Sequence, residues 1–446
     1  MATQPKASYA TLEEAVAIAR DLAPRLHDRV AQAEELRQLP EENVAELIGS
    51  GLIALEVPKR YGGAELNLDA LLEVTAALAE GCSASGWVYA LWGAHMWLIG
   101  QYPEHVQAQV FENPRSLVSS VVNTNGTPQR VDGGYRWTGR GFFSSGVDHC
   151  NWLTAAVNVD PEAPPPGDIR WLLLRRSDFE IEDDWYTLGL KGTGSKTIVL
   201  NDVFVPDERI VSFRELSEGR AWGPRLYDSE VYQAAFEFTF TLPLAGPVVG
   251  IARALLKAFE ARMTERLAKG DEWVASSQAG TLTRMAQAGA EIESAMALLL
   301  QTARQFCTIP IAQATPLDKA QCRRDVAYAA QLCRQAANVL YEAAGGSNAY
   351  EKSEIGRLWR DSNVAAAHAG LQWDAAALGY GRALAGLPPF PRRSAVRTRP
   401  RHRNTDCGTG RLGSPARPGV HTKALCSLRN DGAVDSMRVH ARSARL

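Results

Sequence analysis

The sequence predicts an α+β fold in which a β-domain lies between two helical regions. In roughly the first hundred residues, apolar side chains recur at helical spacing. From about Ser116 to Phe213 the pattern changes to short apolar and β-branched runs broken by Gly, Pro and Asp, which is typical of strands. From about Gln233 to Leu384 helical spacing returns in long segments. Because helices, strands and helices follow one another in blocks, we expect three domains: N-terminal helical (1–115), middle β (116–232) and a C-terminal four-helix bundle (233–391).

The helical regions carry recognisable start and stop patterns. One helix is predicted to start at Leu39-Pro40-Glu41 and to stop at Gly51, since proline and acidic residues favour a first turn and glycine an end. A second amphipathic helix is predicted over Asp69–Leu78. Four later segments are each long enough for a bundle helix: Pro247–Lys269, Leu282–Thr308, Leu317–Ala344 and Glu354–Leu384.

The middle region shows the strand pattern in several short runs. Gly, Pro and Asp clusters separate these runs, so they predict a compact β-domain. The segment Asp160–Asp168 contains three successive prolines and is predicted to be a surface loop. The predicted strands lie at Ser116–Val122, Tyr135–Thr138, Trp152–Val157, Trp171–Leu174 and Thr197–Val205.

Composition and charge argue against several classes of protein. Hydrophobic residues make up 46% and charged residues 22% of the chain, which is ordinary for a folded protein with a sizeable core. The formal net charge of -2 points to neither nucleic acid nor an anionic membrane as a partner. Met1–Lys6 lacks the basic and apolar pattern of a secretory signal, and the apolar stretch Leu242–Leu256 is short and contains Arg253. We therefore expect no membrane span and a cytoplasmic protein.

The last 55 residues differ in character from the rest. Arg392–Leu446 holds 13 Lys and Arg against three acidic residues, a net charge of +10. Because the whole chain has a net charge of -2, residues 1–391 carry a net charge of -12. This segment is rich in Arg, Pro, Gly, Ser and Thr and has few aliphatic runs. The pattern predicts a basic tail that is either disordered or not native sequence, such as a shifted reading frame, and we assign it no function.

The cysteines indicate neither a disulfide scaffold nor a metal site. All seven are scattered along the chain without a CxxC pair. An odd number in a long chain favours an intracellular protein with free thiols. No His and Cys pair shows the spacing of zinc ligands, so no metal is expected.

One glycine-rich string carries the most specific pattern. It runs from Leu188 through Gly192-Thr193-Gly194-Ser195-Lys196-Thr197 to Asp202-Val203-Phe204-Val205-Pro206. The string resembles the signature of the acyl-CoA dehydrogenase superfamily, and the resemblance implies that fold. Glycines would allow the backbone close to a cofactor, and Ser195 and Thr197 could donate to flavin or phosphate oxygens.

Three further motifs follow in the order expected for that family. Glu265–Gly270 is similar to a helix segment whose arginine, here Arg266, contacts the flavin of a neighbouring subunit, although Lys269 stands where the family has an aromatic residue. Gly345-Gly346 and Tyr350 resemble a turn that approaches the cofactor from another subunit. Arg357–Asp361 resembles the R-x-x-R-D element. The resemblance extends over roughly residues 12–389.

The dehydrogenase base of this family is missing from its usual place. Acyl-CoA dehydrogenases commonly carry a catalytic glutamate soon after the R-D element, and the matching step here reads His368-Ala369-Gly370. Because Ala369 cannot accept a proton, α,β-dehydrogenation by that route is disfavoured. A carboxylate elsewhere remains an alternative, as in some family members.

Other residues resemble the two-component, reduced-flavin-utilising aromatic hydroxylases of this fold. Trp87 followed by His95 matches their Trp-to-His spacing, Phe142–His149 resembles their W-x-S-S-G-x-D-H segment with Ser144 and Ser145, and His368 matches their final histidine. The resemblance implies an oxygenase component that hydroxylates a phenolic or polycyclic polyketide-type substrate through a flavin C4a-hydroperoxide. It implies reduced FMN, or alternatively FAD, with O2 as co-substrate.

The implied roles are specific to each residue. Trp87 and Ser144 would contact the flavin, and Ser145 would hold its N5 and stabilise the oxygenated species. His368 is the first choice for the base that takes the phenol proton, because neutral imidazole suits that task near pH 7. His95 would orient the substrate or share the role. The resemblance also implies a separate NAD(P)H-dependent flavin reductase and a homotetramer.

Structural interpretations of these residues and other functions for this fold are alternatives to the hydroxylase prediction. Both histidines could be structural, and Ser144 and Ser145 could merely cap a bend in a strand. Within this fold, a flavin-dependent N-hydroxylase of an amino sugar and a dehydrogenase with a displaced base are alternatives. A catalytically idle flavin-binding scaffold is a third alternative, which the retention of Ser145, His95 and His368 argues against.

Overall fold

The computed structural model describes residues 7–163, 167–268 and 272–389, with residues 272–279 described by their backbone alone. The predicted order of helices, strands and helices is confirmed. The basic tail from Arg392 lies outside the described residues, and its prediction is not tested.

Six helices form the N-terminal region. The first begins at a capping box in which the Thr11 side chain accepts from the amide of Glu14 while the Glu14 carboxylate accepts from the amide of Thr11. The helices predicted to start at Glu41 and Asp69 are both present, and they are followed by α5, in which every residue except Leu91 is buried. The helices are α1 (Leu12–Asp28), α2 (Val30–Leu36), α3 (Glu41–Gly49), α4 (Leu68–Gly81), α5 (Ser83–Ile99) and α6 (Glu104–Phe111).

In the described part of the middle region, nine strands form two sheets. One sheet has the order β1-β5-β6-β9, with β1 and β5 parallel, and the other has the order β2-β4-β8-β7, with β3 also paired to β4. The last part of the predicted β-domain, after Ser212, contains short helices instead of strands. The strands are β1 (Val118–Val121), β2 (Asn123–Asn125), β3 (Gln129–Val131), β4 (Gly134–Ser144), β5 (Trp152–Asn158), β6 (Ile169–Arg175), β7 (Glu180–Glu182), β8 (Lys196–Pro206) and β9 (Ile210–Ser212).

Among the residues that the structure describes, three long helices and two shorter ones make up most of the C-terminal region. The predicted fourth helix, Glu354–Leu384, is wrong as a continuous element, because the chain breaks between Ala366 and Trp373. The helices are α7 (Phe213–Ser217), α8 (Gly223–Leu226), α9 (Glu230–Gln233), α10 (Phe236–Thr241), α11 (Ala245–Ala268), α12 (Glu272–Cys307), α13 (Pro316–Ala344), α14 (Glu354–Ala366) and α15 (Trp373–Leu384).

The break in that helix is stabilised by side chains that bond to backbone groups. The Gly370 amide donates to Nδ1 of His368, and the Gln372 side chain donates to the Ala367 carbonyl over 2.8 Å. These bonds satisfy groups that a continuous helix would pair within itself. The alanine-rich pattern therefore favours a helix locally, but the structure places His368 in a tight turn.

One large core joins the two helical regions, and a smaller core lies between the sheets. The stretch Phe236–Ala268 is long and apolar enough to cross a membrane by length and composition alone. However, 72% of its most apolar window is buried within the protein, as in the core helix of a folded domain.

Candidate active site

Helix α5 places Trp87 at the centre of the predicted residue set. The indole Nε1 of Trp87 donates to Oγ of Ser145 over 3.3 Å. The ring of His368 lies edge-on to the same indole, with ring centroids 5.7 Å apart. Three residues from the N-terminal helices, the sheet and the C-terminal helices thus meet in one place.

A bulge at the end of β4 orients the two serines. The register between β4 and β8 shifts between Gly141 and Ser144, and Phe143 has a positive φ of 66°. Beyond it, the buried Ser144 hydroxyl bonds to Oγ of Ser119 at 2.8 Å. Ser145 instead bonds to Oγ of Ser195 at 2.7 Å. The predicted cofactor residue Ser144 therefore has its hydroxyl engaged in the protein interior.

The signature loop is held in an unusual backbone conformation. Leu190 has a positive φ of 52°, which is uncommon for a residue with a side chain. Its amide donates to Oδ1 of Asp361 over 2.7 Å. Nε of Arg360 donates to the carbonyl of Leu188 over 3.1 Å. The R-x-x-R-D element therefore fixes the loop that presents Ser195.

Thr197 differs from its predicted role as a donor to the cofactor. Its amide donates to Oδ1 of Asp184 over 3.0 Å, and its hydroxyl donates to Oδ2 over 2.6 Å. A threonine has one backbone and one side-chain donor, so the Asp184 carboxylate takes both. In this structure Thr197 has no donor left for a flavin or phosphate oxygen.

His95 is fully buried as a neutral imidazole. Its Nδ1 lies 2.9 Å from the carbonyl oxygen of Val118. Because a carbonyl only accepts, Nδ1 carries the proton and Nε2 has the lone pair. Burial lowers the pKa of His95 from 6.5 to about 4, so the ring stays neutral at pH 7. The side chain of Phe240 packs beside it, with ring centroids 6.1 Å apart.

His368 has the opposite tautomer. The Gly370 amide donates to its Nδ1 over 3.1 Å, so that nitrogen must carry a lone pair. Burial also lowers the pKa of His368, and the neutral ring then carries its proton on Nε2. A neutral His368 can therefore donate through Nε2 but offers no free lone pair. This arrangement argues against the prediction that His368 is the base.

The residues expected to reach a cofactor from another subunit lie on the C-terminal helices. Gly345, with a φ of 83°, ends α13, and the space where a side chain would stand is open at both Gly345 and Gly346. The guanidinium of Arg262 donates to the side chains of Asn348 and Ser347 over 2.6 and 2.5 Å, which anchors this turn. Arg266 lies in the last turn of α11. Flavin contact by Gly345, Gly346 and Arg266 stays a prediction.

Two site residues were missed by reasoning from the sequence. Thr193 lies inside the quoted signature, and its hydroxyl bonds to Ser195 at 2.7 Å. Ser119 lies in β1, and its hydroxyl donates to the Ser145 carbonyl over 2.8 Å. The signature could have indicated Thr193, but Ser119 belongs to no motif. Among the residues that the structure describes, no group of three or more His, Cys, Asp or Glu could hold a metal ion.

The donor and acceptor set fits a flavin. Trp87 offers a flat apolar ring, and flat aromatic surfaces pack well against an isoalloxazine ring. The Ser145 hydroxyl accepts from Trp87 and bonds to Ser195, which leaves it one further lone pair. A hydroxyl beside an aromatic wall can bind the polar edge of a flavin ring while the wall covers its face.

Comparison with known proteins supports the same class. Models described as acyl-CoA dehydrogenase N-terminal and C-terminal domains match residues 11–111 and 242–373. A pigment production hydroxylase of Rhodococcus sp. is 33% identical over 369 residues, covering 82% of this chain and 95% of the relative. The oxygenase component of an FADH2-dependent resorcinol hydroxylase of Rhizobium sp. is 31% identical over 377 residues, covering 80% and 90%.

A solved structure shows the same fold. The HsaA monooxygenase of M. tuberculosis superposes with a TM-score of 0.79 at 29% identity, covering 84% of this chain and all of that one. Fold and site together define a flavin enzyme built on the acyl-CoA dehydrogenase scaffold. The chain belongs to the acyl-CoA dehydrogenase family, in its branch of flavin-dependent monooxygenase oxygenase components.

Proposed function

We propose that this chain is the oxygenase component of a two-component monooxygenase that hydroxylates a phenolic ring with reduced flavin and O2. The observation that carries the proposal is the contact of Trp87 with both Ser145 and His368. The relative named as a resorcinol hydroxylase supports an aromatic substrate. Reduced flavin, when bound, supplies the two electrons that activate O2.

The cofactor would be held by Trp87 and Ser145. The Trp87 ring would cover one face of the isoalloxazine, and the Ser145 hydroxyl would bind its N5 edge. Both side chains are about 5% exposed, so little water reaches them. Exclusion of water matters because it prevents side reactions of a reactive bound species.

The two histidines would act on the substrate with different roles. Nε2 of His95 has a free lone pair and would accept the phenol proton as the ring attacks, when the phenol oxygen becomes acidic. Nε2 of His368 carries a proton and would donate a hydrogen bond next to Trp87. We therefore assign the base to His95 and the donor to His368, which reverses the first choice made from the sequence.

The remaining parts of the proposal concern partners. A separate NAD(P)H-dependent reductase would supply the reduced FMN or FAD. The Rhizobium relative is named as an oxygenase component, which supports a separate reductase. We propose a homotetramer in which Gly345, Gly346 and Arg266 reach the flavin of a neighbouring subunit. We also propose a cytoplasmic location, which five free cysteines in the described part of the chain support.

The test is a screen of phenols and polycyclic aromatics with a generic flavin reductase. Hydroxylated product and H2O2 are measured together with O2 consumption. We expect at least one substrate to give product in proportion to O2, and Ser145→Ala to shift the balance toward H2O2. Thr75→Val is a suitable control because Thr75 donates only within α4, to the Leu72 carbonyl. Consumption of O2 without product for every aromatic tested would contradict the proposal.

A further inference from the structure

A continuous chain of side-chain hydroxyls runs inward from Ser145. Oγ of Ser145 lies 2.7 Å from Oγ of Ser195, which lies 2.7 Å from Oγ1 of Thr193. The Thr193 hydroxyl lies 2.9 Å from the carbonyl oxygen of Leu190. We call these three side chains the hydroxyl chain. All three are buried, with Thr193 completely inaccessible to solvent.

The end of the hydroxyl chain determines the direction of its protons. The Leu190 carbonyl can only accept, so Thr193 donates to it and has no second proton to give. Ser195 must then donate to Thr193, and Ser145 must donate to Ser195. The opposite direction would leave one fewer hydrogen bond among these buried groups, which is unfavourable.

At its outer end the hydroxyl chain presents a lone pair. The only proton of Ser145 points to Ser195, and the indole N–H of Trp87 uses one of its two lone pairs. The second lone pair remains for whatever binds beside Trp87. A partner group at this place must therefore be a hydrogen-bond donor.

The neighbouring hydroxyls do not change this polarity. Ser119 donates to the carbonyl of Ser145, so Ser144 must donate to Ser119. Both donors of Thr197 go to Asp184. The donors of these groups all bond to acceptors within the protein, and none of them donates to the Ser145 hydroxyl.

We propose that Ser195 and Thr193 are positioning residues that hold the Ser145 hydroxyl as an acceptor and thereby make the site select reduced over oxidised flavin. The inference rests on the proposed function, since it takes N5 of the flavin as the partner of Ser145. Reduced flavin carries an N–H at N5, whereas oxidised flavin has a bare nitrogen with a lone pair there. Two lone pairs facing each other lose the hydrogen bond and repel, so oxidised flavin binds more weakly.

This selection has a direct use in a two-component enzyme. The oxygenase must take reduced flavin from solution and release it once it is oxidised. A rigid acceptor at Ser145 favours both events without any movement of the protein. It does so through the orientation of one proton, which a change at Thr193 should reverse.

The test measures binding, not turnover. Dissociation constants of oxidised FMN and of anaerobically reduced FMN are determined for the full chain and its variants, with FAD in parallel. The selectivity is the dissociation constant of oxidised FMN divided by that of reduced FMN. We expect Ser195→Ala and Thr193→Val to lower this ratio by about tenfold, because the Ser145 proton becomes free to donate outward. A tenfold change corresponds to about 30 mV in the potential of the bound two-electron couple, which gives a second readout.

Matched variants separate orientation from folding. Thr193→Ser keeps a hydroxyl and should keep the wild-type ratio, whereas Thr193→Val removes it with little change in shape. Thr75→Val makes the same change at a buried hydroxyl in α4 and should leave the ratio unchanged. Thermal unfolding of each variant verifies that the fold is intact.

The outcomes distinguish the inference from the proposed function. If Ser145→Ala changes the ratio but Ser195→Ala and Thr193→Val stay within about twofold of wild type, the inference is wrong and the flavin contact of Ser145 stands. If Ser145→Ala also leaves the ratio unchanged, Ser145 does not contact N5, and both the flavin contact and the inference are wrong. If the wild-type chain binds neither flavin, the proposed function itself is wrong.

Discussion

The amide of Gly370 donates a hydrogen bond to Nδ1 of His368 over 3.1 Å. This single contact leaves the neutral ring with its proton on Nε2, next to the indole of Trp87. It makes His368 a donor at the place where the sequence suggested a base.

The first prediction tests that donor with two amide substitutions. His368→Gln puts an amide nitrogen near the position of Nε2, whereas His368→Asn reaches only to the position of Nδ1. We expect H368Q to keep most of the hydroxylated product per O2, and H368N and H368A to lose about tenfold or more. Flavin affinity should stay close to wild type in all three. Equal coupling in H368Q and H368N would contradict the assignment.

The second prediction concerns the proton taken by His95. Replacement by Gln removes the basic lone pair of Nε2, and it also removes the donor at the position of Nδ1 that bonds to the Val118 carbonyl. With a phenol whose own pKa is about 10, we expect H95Q to slow product formation by about 100-fold or more at neutral pH. The deficit should shrink with fluorinated phenols of lower pKa, because these are already deprotonated. Product formation and O2 consumption are both measured.

His105→Gln is the control for this experiment, since His105 is exposed and pairs with Glu208. A deficit in H95Q that is the same for all phenols would rule out the base role. In the wild-type enzyme, His95 should contribute no ionisation to the pH profile above about pH 5, because its pKa is about 4.

A third prediction concerns Glu56, whose carboxylate is completely buried. Neither of its oxygens has a hydrogen-bond partner, and burial raises its pKa from 4.5 to about 8. The folded protein therefore keeps a proton that the unfolded chain loses above about pH 4.5. The free energy of unfolding should fall as the pH rises from about 4.5 to 8, by up to about 1.4 kcal/mol per pH unit.

Glu56→Gln should remove this dependence, because Gln does not titrate. We expect E56Q to gain stability relative to wild type as the pH rises toward 8, in urea unfolding followed by tryptophan fluorescence. Glu351→Gln, at an exposed position, serves as the matched control. Parallel pH profiles for E56Q and wild type would show that Glu56 is not protonated in the folded state.

The fourth prediction concerns the contact between Asp361 and the Leu190 amide. Asp361→Ala leaves that buried amide without a partner, which costs about 1–3 kcal/mol. Because Leu190 lies in the same loop as Thr193 and Ser195, D361A should also weaken flavin binding. Asp361→Asn keeps an accepting oxygen and should restore much of both. Urea unfolding and flavin titration are the measurements, and equal stability of D361A and wild type would contradict the role.

Local patterns were sufficient for most of the fold. The strand predicted at Thr197–Val205 is β8, at Lys196–Pro206, and the helix predicted at Asp69–Leu78 is α4. Both follow from periodicity, which depends on near neighbours along the chain. The predicted helix over Glu354–Leu384 failed because its break depends on hydrogen bonds of the His368 and Gln372 side chains, which alanine-rich composition does not show.

The sequence by itself determined the family and predicted Trp87, Ser145, His95 and His368 as site residues, because these residues stand in strings with recognisable spacing. Only the tertiary structure decided which nitrogen of each histidine carries the proton and which way the hydroxyls point. Val118 is 23 positions from His95, and Ser195 is 50 positions from Ser145. The direction of a hydrogen bond is decided by the partner group, and folding brings that partner from a distant part of the chain.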